Sequence, residues 1–145
     1  MQLVQNILKQ KTGGVFSVAP SDTVYDAIAM MAEKEVGALL VLDAGRTAGI
    51  ISERDYTRKV ILKDKSSKLA QVQEIMTRDV VCVTPEMHVD DCVALMRKHH
   101  IRHLPVSEDG VVTGMLSLRD LFSAIIEEQA DTIEQLEHYV RGEVQ

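Results

Sequence analysis

The chain repeats itself at an offset of 65 residues, without a gap. Over 47 aligned positions 15 residues are identical, and many of the others are conservative, such as Ile28 opposite Val93. Each copy of such a unit has an apolar face to bury, and the other copy is its natural cover. The repeat therefore predicts an internal pseudo-twofold axis, with functional sites in the clefts between the two copies.

Both copies have the same predicted order of elements, which is strand, helix, strand, strand, helix. The Asp109-Gly110 pair in the second copy is typical of a tight hairpin. In the first copy the predicted elements cover residues 15–18, 24–35, 38–42, 48–51 and 53–62. In the second copy they cover residues 80–83, 89–99, 104–106, 111–116 and 118–128.

The chain divides into five predicted segments. They are an N-terminal helix (1–14), repeat 1 (15–62), a polar linker (63–73), repeat 2 (74–128) and a C-terminal helix with its tail (129–145). The C-terminal helix carries an apolar stripe with no counterpart in the repeat, made of Ile133, Leu136, Tyr139 and Val140. Such a stripe either packs on its own domain or docks against a second subunit.

Composition excludes several classes of protein. Aromatic residues make up 3% of the chain and the net charge is −6, which argues against base stacking and phosphate-backbone binding. No apolar run is long enough to span a membrane, and no secretory signal is visible at the start. Two cysteines are too few for a disulfide framework. We therefore expect a cytoplasmic protein that binds neither nucleic acid nor membrane.

A short motif, Gly-apolar-apolar-Ser-x-Arg-Asp, follows a predicted strand in each copy, starting at Gly49 and at Gly114. A helix capping box accounts for Ser52 and Asp55, but not for the glycine or for the arginine beside the acid. A hydroxyl, a carboxylate and a helix start in one turn also suit a ribose phosphate. Carboxylate oxygens accept from sugar hydroxyls, while arginine and backbone amides receive the phosphate.

With this motif, the two tandem units resemble a pair of cystathionine β-synthase (CBS) domains, also called a Bateman module. The resemblance covers residues 15–128 and includes an apolar residue and a proline at the start of each copy, as in Val18 and Pro20. It also includes the Ile101–Val106 segment. It implies an α/β fold of two β-α-β-β-α repeats packed about a pseudo-twofold, with short N-terminal and C-terminal helices.

The resemblance also implies a function. CBS pairs bind adenine nucleotides in the clefts between their repeats, so we expect AMP as ligand, or else ADP, ATP or NAD(H). No other cofactor and no metal is expected. Occupancy would be reported to a regulated partner protein, without catalysis by the pair. Because single pairs of this family often form homodimers with four repeats in a flat disc, a homodimer is also expected.

Site residues are implied by the same resemblance. The aspartate of the motif holds the ribose, the serine hydroxyl lies near the phosphate, and backbone near the first strand meets the base. Carried over, these roles fall in repeat 1 to Asp55, Ser52 and Val18. In repeat 2 they fall to Asp120, Ser117 and Val83.

The two repeats differ where the family places a basic residue on the phosphate. Repeat 2 has Arg102 and His103 at the positions where repeat 1 has Gly37 and Ala38. In the family this basic residue serves the ribose held by the other repeat. Arg102 would therefore serve Asp55, and Gly37 would leave Asp120 without that contact.

Repeat 1 also has more positive charge after its motif. Arg54 and Arg58 are four residues apart and share a helix face, whereas repeat 2 keeps only Arg119 and has Ser123 in place of Arg58. A solvated basic edge is the alternative explanation of these arginines. Combined with Arg102, they predict that the cleft at Asp55 is the better nucleotide site.

Two other kinds of function stay open. An enzyme acting on a nucleotide would need a positioned base or metal, and a protein-interaction scaffold would leave its clefts empty. Cys82, His88 and Cys92 suggest a metal site, but the chain has no Cys-x-x-Cys or His-x-x-x-His pattern. Ser17 and Ala27 replace the two cysteines in repeat 1, which indicates small structural residues.

Overall fold

The computed structural model describes residues 2–11, 14–63 and 65–142, and it has the expected α/β architecture. Its strands are β1 (Ser17–Val18), β2 (Ala38–Asp43), β3 (Arg46–Ser52), β4 (His103–Glu108) and β5 (Val111–Ser117). Its helices are α1 (Val4–Gln10), α2 (Val24–Lys34), α3 (Glu53–Tyr56), α4 (Val72–Ile75), α5 (Val89–His99) and α6 (Leu118–Val140). A π-helical turn, Thr57–Ile61, continues α3.

Each repeat contributes one small sheet. In repeat 1 the order is β1-β2-β3, with β1 parallel and β3 antiparallel to β2. In repeat 2 only β4 and β5 form a ladder, and the strand predicted at residues 80–83 is reduced to one parallel bridge between Val83 and Val106. The reason is Pro105. Its counterpart Leu40 donates its N–H to Phe16, whereas proline has no N–H to donate.

The predicted tight hairpin is confirmed, and repeat 1 contains its twin. Asp109 and Gly110 have φ values of 51° and 80°, and Ala44 and Gly45 have 50° and 80°. Positive φ at both central residues is the type I′ geometry that suits the twist of two-residue hairpins. The turn is therefore more strained at Ala44 than it would be at a glycine, because a Cβ disfavours positive φ.

Two aliphatic cores lie in the molecule, one for each repeat, and the connecting helices are distributed between them. α4, which follows repeat 1, places Val72 and Ile75 in the first core. α1, which precedes repeat 1, places Val4 and Ile7 in the second core instead. The last residues of the predicted linker therefore belong to repeat 1, and the N-terminal helix completes repeat 2.

The second helix of each repeat shows the largest difference between the copies. In repeat 1, α3 and its π-helical turn end at Ile61. At the junction between them the Thr57 hydroxyl donates to the carbonyl of Glu53 at 3.1 Å. In repeat 2, α6 runs for 23 residues without a break. The C-terminal helix predicted from residue 129 is present but continuous with the second helix of repeat 2, because no glycine or proline interrupts the helical spacing there.

The apolar stripe of the C-terminal helix does not pack on its own domain. Ile133, Leu136, Tyr139 and Val140 are all exposed, which removes one of the two uses considered for them. Among the described residues, no helix combines the length and the apolar character needed to cross a membrane. The remaining use, an interface with a second chain, is taken up below.

Candidate functional site

Two clefts lie between the repeats, and each contains one copy of the motif. The Asp55 cleft has a volume of about 340 Å³ and is lined on its polar side by Ser52, Arg54, Asp55, Arg58, Arg102 and His103. The Asp120 cleft has a volume of about 1310 Å³ and contains Ser117, Arg119 and Asp120 together with Gly37 and Ala38. The structure thus brings together the side chains that the sequence assigned to each cleft.

In both clefts the serine and the aspartate of the motif form a capping box. The backbone N–H of Ser52 donates to Asp55 Oδ2 at 2.9 Å, and the N–H of Asp55 donates to Ser52 Oγ at 3.3 Å. Ser117 and Asp120 repeat these bonds at 2.8 and 3.1 Å. The capping box that the sequence suggested for the serine and the aspartate is therefore present in both repeats. The Asp120 carboxylate keeps lone pairs for a ligand, since a carboxylate can accept about four hydrogen bonds. The Asp55 carboxylate also accepts from Lys59 and Thr77, so a ligand hydroxyl there would replace the longest of these bonds, which is 3.5 Å from Thr77 Oγ1.

The glycine of the motif is required by close packing. A Cβ on Gly49 would lie 2.6 Å from the carbonyl oxygen of Thr77, a distance that real Cβ atoms do not adopt. A Cβ on Gly114 would lie 2.8 Å from Cδ2 of Leu8. The same motif position therefore faces rigid backbone in repeat 1 and the end of a flexible side chain in repeat 2.

Positive charge is concentrated in the Asp55 cleft. Arg54, Arg58, Lys59 and Arg102 face two acids there, Asp55 and Asp79. Desolvation, followed by repulsion from Arg58 and Arg102, lowers the pKa of the Arg54 guanidinium from its ordinary value. Guanidinium groups that repel one another in this way stabilise a bound anion, because it neutralises them.

Arg54 and Lys59 are held in place by neighbouring groups. Arg54 Nη1 donates to the carbonyl of His100 at 3.2 Å, which ties the first repeat to the end of α5. Lys59 Nζ lies 3.0 Å from Asp55 Oδ1 and donates to the carbonyl of Ile75 at 2.9 Å. The Asp55 carboxylate is therefore paired with a lysine one turn further along its own helix.

The Asp120 cleft uses a lysine from another part of the chain. Repeat 2 has Ala124 where repeat 1 has Lys59. Lys11, which follows α1, takes over the pairing, with Nζ 2.8 Å from Asp120 Oδ2 and 2.5 Å from the carbonyl oxygen of Met115. Partial burial alone would raise the pKa of Asp120, but the bonds from Lys11 and Ser117 and the lysine charge lower it overall.

Arg102 and His103 lie between the two clefts and line both of them. The family resemblance implied that Arg102 serves Asp55, and Arg102 does line that cleft, but the sequence did not predict that both residues also reach the Asp120 cleft. Desolvation, followed by the charge of Lys11, lowers the pKa of the His103 imidazole. His103 is therefore mainly neutral at pH 7, since its ordinary value is about 6.5.

Val18 and Val83 lie in the cores. Their side chains are 6% and 1% exposed, and neither residue lines a cleft. The clefts instead contact the chain two residues earlier, at Phe16 and at Val81. Both valines belong to the cores, so it is the chain before them that reaches the clefts.

Three site residues were not assigned from the sequence. Lys59 could have been found, because its spacing of four residues from Asp55 predicts an ion pair on a helix. Thr77, with Oγ1 3.5 Å from Asp55 Oδ1, and Lys11 approach from segments distant in the chain. Only the way α1 and the α4 region pack against opposite repeats brings these two residues to their clefts.

The cysteines do not form a site. Cys82 is exposed, Cys92 is buried, and both are free thiols. Burial, with the charge of Asp91 second, raises the pKa of the Cys92 thiol to about 11, so it is not a thiolate at neutral pH. Within residues 2–11, 14–63 and 65–142, no group of three or more His, Cys, Asp or Glu side chains could hold a metal ion.

Known proteins share both the sequence pattern and the fold. The CBS domain family model matches residues 10–61 and 72–127. The CBS domain-containing protein CBSX3, mitochondrial, of Arabidopsis thaliana is 38% identical over 148 residues, covering 96% of this chain and 72% of that protein. A protein with CBS domains from Burkholderia ambifaria MC40-6 has a solved structure that superposes with a TM-score of 0.85 at 47% identity, covering 88% of this chain and 96% of that one.

A third comparison concerns the fold alone. A CBS domain pair solved in complex with 5′-methylthioadenosine and S-adenosyl-L-methionine superposes with a TM-score of 0.78 at 23% identity, covering 88% of this chain and 98% of that chain. The repeated α/β units, the doubled motif and the two family matches agree. The chain belongs to the CBS domain family, as a tandem pair of CBS domains.

Proposed function

We propose that this CBS pair is a regulatory module that binds an adenine nucleotide, AMP first among them, and reports its presence to a partner protein. One observation carries the proposal. In the Asp55 cleft a carboxylate at a helix start and the side chains of Arg54, Arg58 and Arg102 line one cavity of about 340 Å³. That volume lies within the range of small-molecule sites, which is roughly 300–1,000 Å³.

The chemistry of the cleft divides in the way a nucleoside phosphate does. Asp55 accepts from the ribose hydroxyls, and the start of α3 with the three arginines receives the phosphate. Val80, Val81 and Ile101 supply apolar surface for the base. ADP, ATP and NAD(H) present the same ribose phosphate and are the next candidates. The CBS pair solved with adenosyl ligands supports this at the level of the fold.

The Asp120 cleft is proposed as the weaker site. Its cations, Lys11, Lys34, Arg102 and Arg119, face three acids in a much larger volume. Field strength from a given charge falls with distance and with access of water. A phosphate in this open cleft is therefore held less firmly than one between the arginines of the Asp55 cleft.

We further propose that the module acts in the cytoplasm and without catalysis of its own. Two free thiols with raised pKa values fit a reducing compartment. Arginine and lysine surround the Asp55 carboxylate, an arrangement suited to holding an anion and not to activating a water. Incubation of the protein with AMP, ADP, ATP and NADH, followed by chromatography, tests this. Turnover of any of them would favour the enzyme alternative.

A thermal-shift comparison of AMP and adenosine tests the ligand. Binding to the folded state alone raises stability by about 2.7 kcal/mol at a hundredfold excess over Kd. AMP is expected to raise Tm more than adenosine, because adenosine offers the arginines no phosphate. Arg102→Ala should bring the AMP shift down to the adenosine level. Equal shifts from both ligands would remove the role of the arginines, and no shift from any nucleotide would favour the scaffold alternative.

A further inference from the structure

The last four turns of α6 project away from the rest of the molecule. Leu121 and Ala124, in the first two turns, are buried. From residue 127 to residue 140 no residue is buried, and only Glu128 and His138 are half-buried. A helical segment of this length is marginal in water when nothing packs on it. Its order therefore depends on a surface that covers its apolar side.

The apolar side chains of this projecting segment follow a heptad spacing. We define the α6 seam as the residues at alternating intervals of three and four, which are Ile126, Gln129, Ile133, Leu136 and Val140. The four aliphatic members are exposed by 57 to 83%. An apolar repeat of 3.5 residues is the pattern of helices that pair side by side. The seam is about 21 Å long, at 1.5 Å per residue.

We propose that the α6 seam pairs in parallel with the α6 seam of a second copy of this chain, as a two-stranded coiled coil. The residue types select this arrangement. Ile126, Ile133 and Val140 stand at the a positions and Leu136 at a d position. β-Branched residues at a with leucine at d favour parallel dimers. The polar Gln129, in the remaining d layer, meets its own copy only when the helices are parallel and in register.

Charges around the seam favour an identical partner over a charged one. The e and g positions, which choose partners in coiled coils, carry a single charge from residue 125 to residue 140, Glu137. Its carboxylate lies 3.5 Å from Arg141 Nη2 of the same helix. The other acids, such as Glu127, Asp131 and Glu134, fall at b and f positions on the outer side. Two copies therefore meet without repulsion, and a basic partner finds no acidic flank.

The seam also ends close to one of the two clefts. Phe122 continues the spacing by one turn, and both Phe122 and Ile126 line the Asp120 cleft. A dimer through the α6 seam therefore brings the two Asp120 clefts near its twofold axis, while the Asp55 clefts stay distant from it. This inference concerns assembly and does not depend on which nucleotide the clefts bind.

The first test is the oligomeric state of the full chain by analytical ultracentrifugation over roughly 1–100 μM, a range suited to a small interface. Ile133→Ser combined with Leu136→Ser should raise the dimer Kd by at least about a hundredfold, because each chain loses two buried aliphatic groups. The matched control is Asp131→Ser combined with Gln135→Ser, on the outer side of the same helix. It should leave the dimer Kd unchanged.

The second test is helix direction by disulfide trapping. The background is Cys82→Ser with Cys92→Ala, which installs the residues that repeat 1 has at these positions. In that background Gln129→Cys should form a disulfide-linked dimer under mild oxidation, since d positions face each other in a parallel pair. Asp131→Cys, two residues away and on the outer side, should not. The AMP-induced thermal shift, measured on the same variants, reports the clefts separately.

Three outcomes would overturn the proposal. One is an unsubstituted chain that stays monomeric at 100 μM, which would mean that a different protein covers the α6 seam. Another is a dimer whose Kd is the same in the variant with Ile133→Ser and Leu136→Ser as in its control, which would place the interface elsewhere. The last is a weakened dimer without trapping at Gln129→Cys, which would make the pairing antiparallel.

Discussion

The Asp55 cleft and the Asp120 cleft share one motif and one capping box, yet their aspartates are paired in different ways. Lys59 belongs to the same helix as Asp55, so the pair forms wherever that helix forms. Lys11 comes from the segment after α1 and reaches Asp120 across 109 residues of chain. The repeat thus preserved the part of the motif that starts a helix, while the charges around it diverged.

The difference shows how a duplicated fold produces unequal sites. Hydrogen bonds of the capping box are local and recur with the sequence. The electrostatic environment depends on what lies opposite, and here Gly37 stands in repeat 1 where Arg102 stands in repeat 2. Arg102 lines both clefts, but of the two only the smaller Asp55 cleft combines it with two further arginines, Arg54 and Arg58.

The largest expected difference is in nucleotide affinity. Asp55→Ala should weaken AMP binding roughly a hundredfold, because the ribose loses charge-assisted hydrogen bonds of about 1.5–3 kcal/mol each. Asp120→Ala should largely preserve the tightest binding event. Isothermal titration calorimetry measures both. Asp55→Asn, which retains an acceptor for the cap, separates loss of charge from loss of the capping box. A larger effect of Asp120→Ala would reverse the ranking of the clefts.

The next difference concerns stability at the two motif glycines. Gly49→Ala should lower the free energy of unfolding by about 1–3 kcal/mol, because its Cβ meets the Thr77 carbonyl and the backbone must move. Gly114→Ala should cost less, since the side chain of Leu8 can rotate away. Urea unfolding of the two variants measures this. Equal losses would show that the N-terminal helix packs as rigidly on repeat 2 as Thr77 does on repeat 1.

A smaller effect is expected from the lysine of the Asp120 cleft. Lys11→Ala should raise the pKa of Asp120, since the hydrogen bond and charge of Lys11 lower it. Asp120 stabilises the fold above its ordinary pKa of about 3.9, and that contribution is lost as pH falls through the lowered value. NMR titration of the carboxyl carbon measures the shift. Lys9→Ala, which removes an exposed charge in the last turn of α1, should leave the pKa of Asp120 unchanged.

The smallest difference should appear in the pH dependence of stability near neutrality. Repeat 2 has His103 where repeat 1 has Ala38. Because the folded pKa of His103 is lowered, the unfolded chain binds the proton more tightly. The free energy of unfolding is therefore undiminished by His103 above about pH 6.5 and decreases as the pH falls below that value. His103→Ala should flatten the slope of Tm between pH 7 and pH 5. A slope that persists would assign it to another group.

Local patterns in the sequence were enough to predict most of the fold. The doubled pattern placed β2, β3, β5, α2 and α5, whose strands are flanked by turn residues and whose helices have regular apolar spacing. Predictions that depended on a partner strand or on the end of a helix did less well. The strand at 80–83 shrank to a bridge because Pro105, on the neighbouring strand, cannot donate.

The site divides in a similar way. Asp55, Ser52 and Arg54 lie within one helix start, so their proximity follows from the sequence alone. The sequence also placed Arg102 with Asp55, but only through the family resemblance. Lys11 and Thr77 could not be assigned, because no spacing along the chain connects them to an aspartate.

The sequence by itself therefore determined the two repeats, their helix caps and the differences in charge between the two copies of the motif. These features arise from contacts between residues a few positions apart, which local hydrogen bonding and periodicity decide. Tertiary structure alone decided that α1 completes the second core, that Lys11 holds Asp120, and that α6 leaves its apolar seam exposed. Such features depend on packing between distant segments, where burial of apolar surface outweighs any local preference.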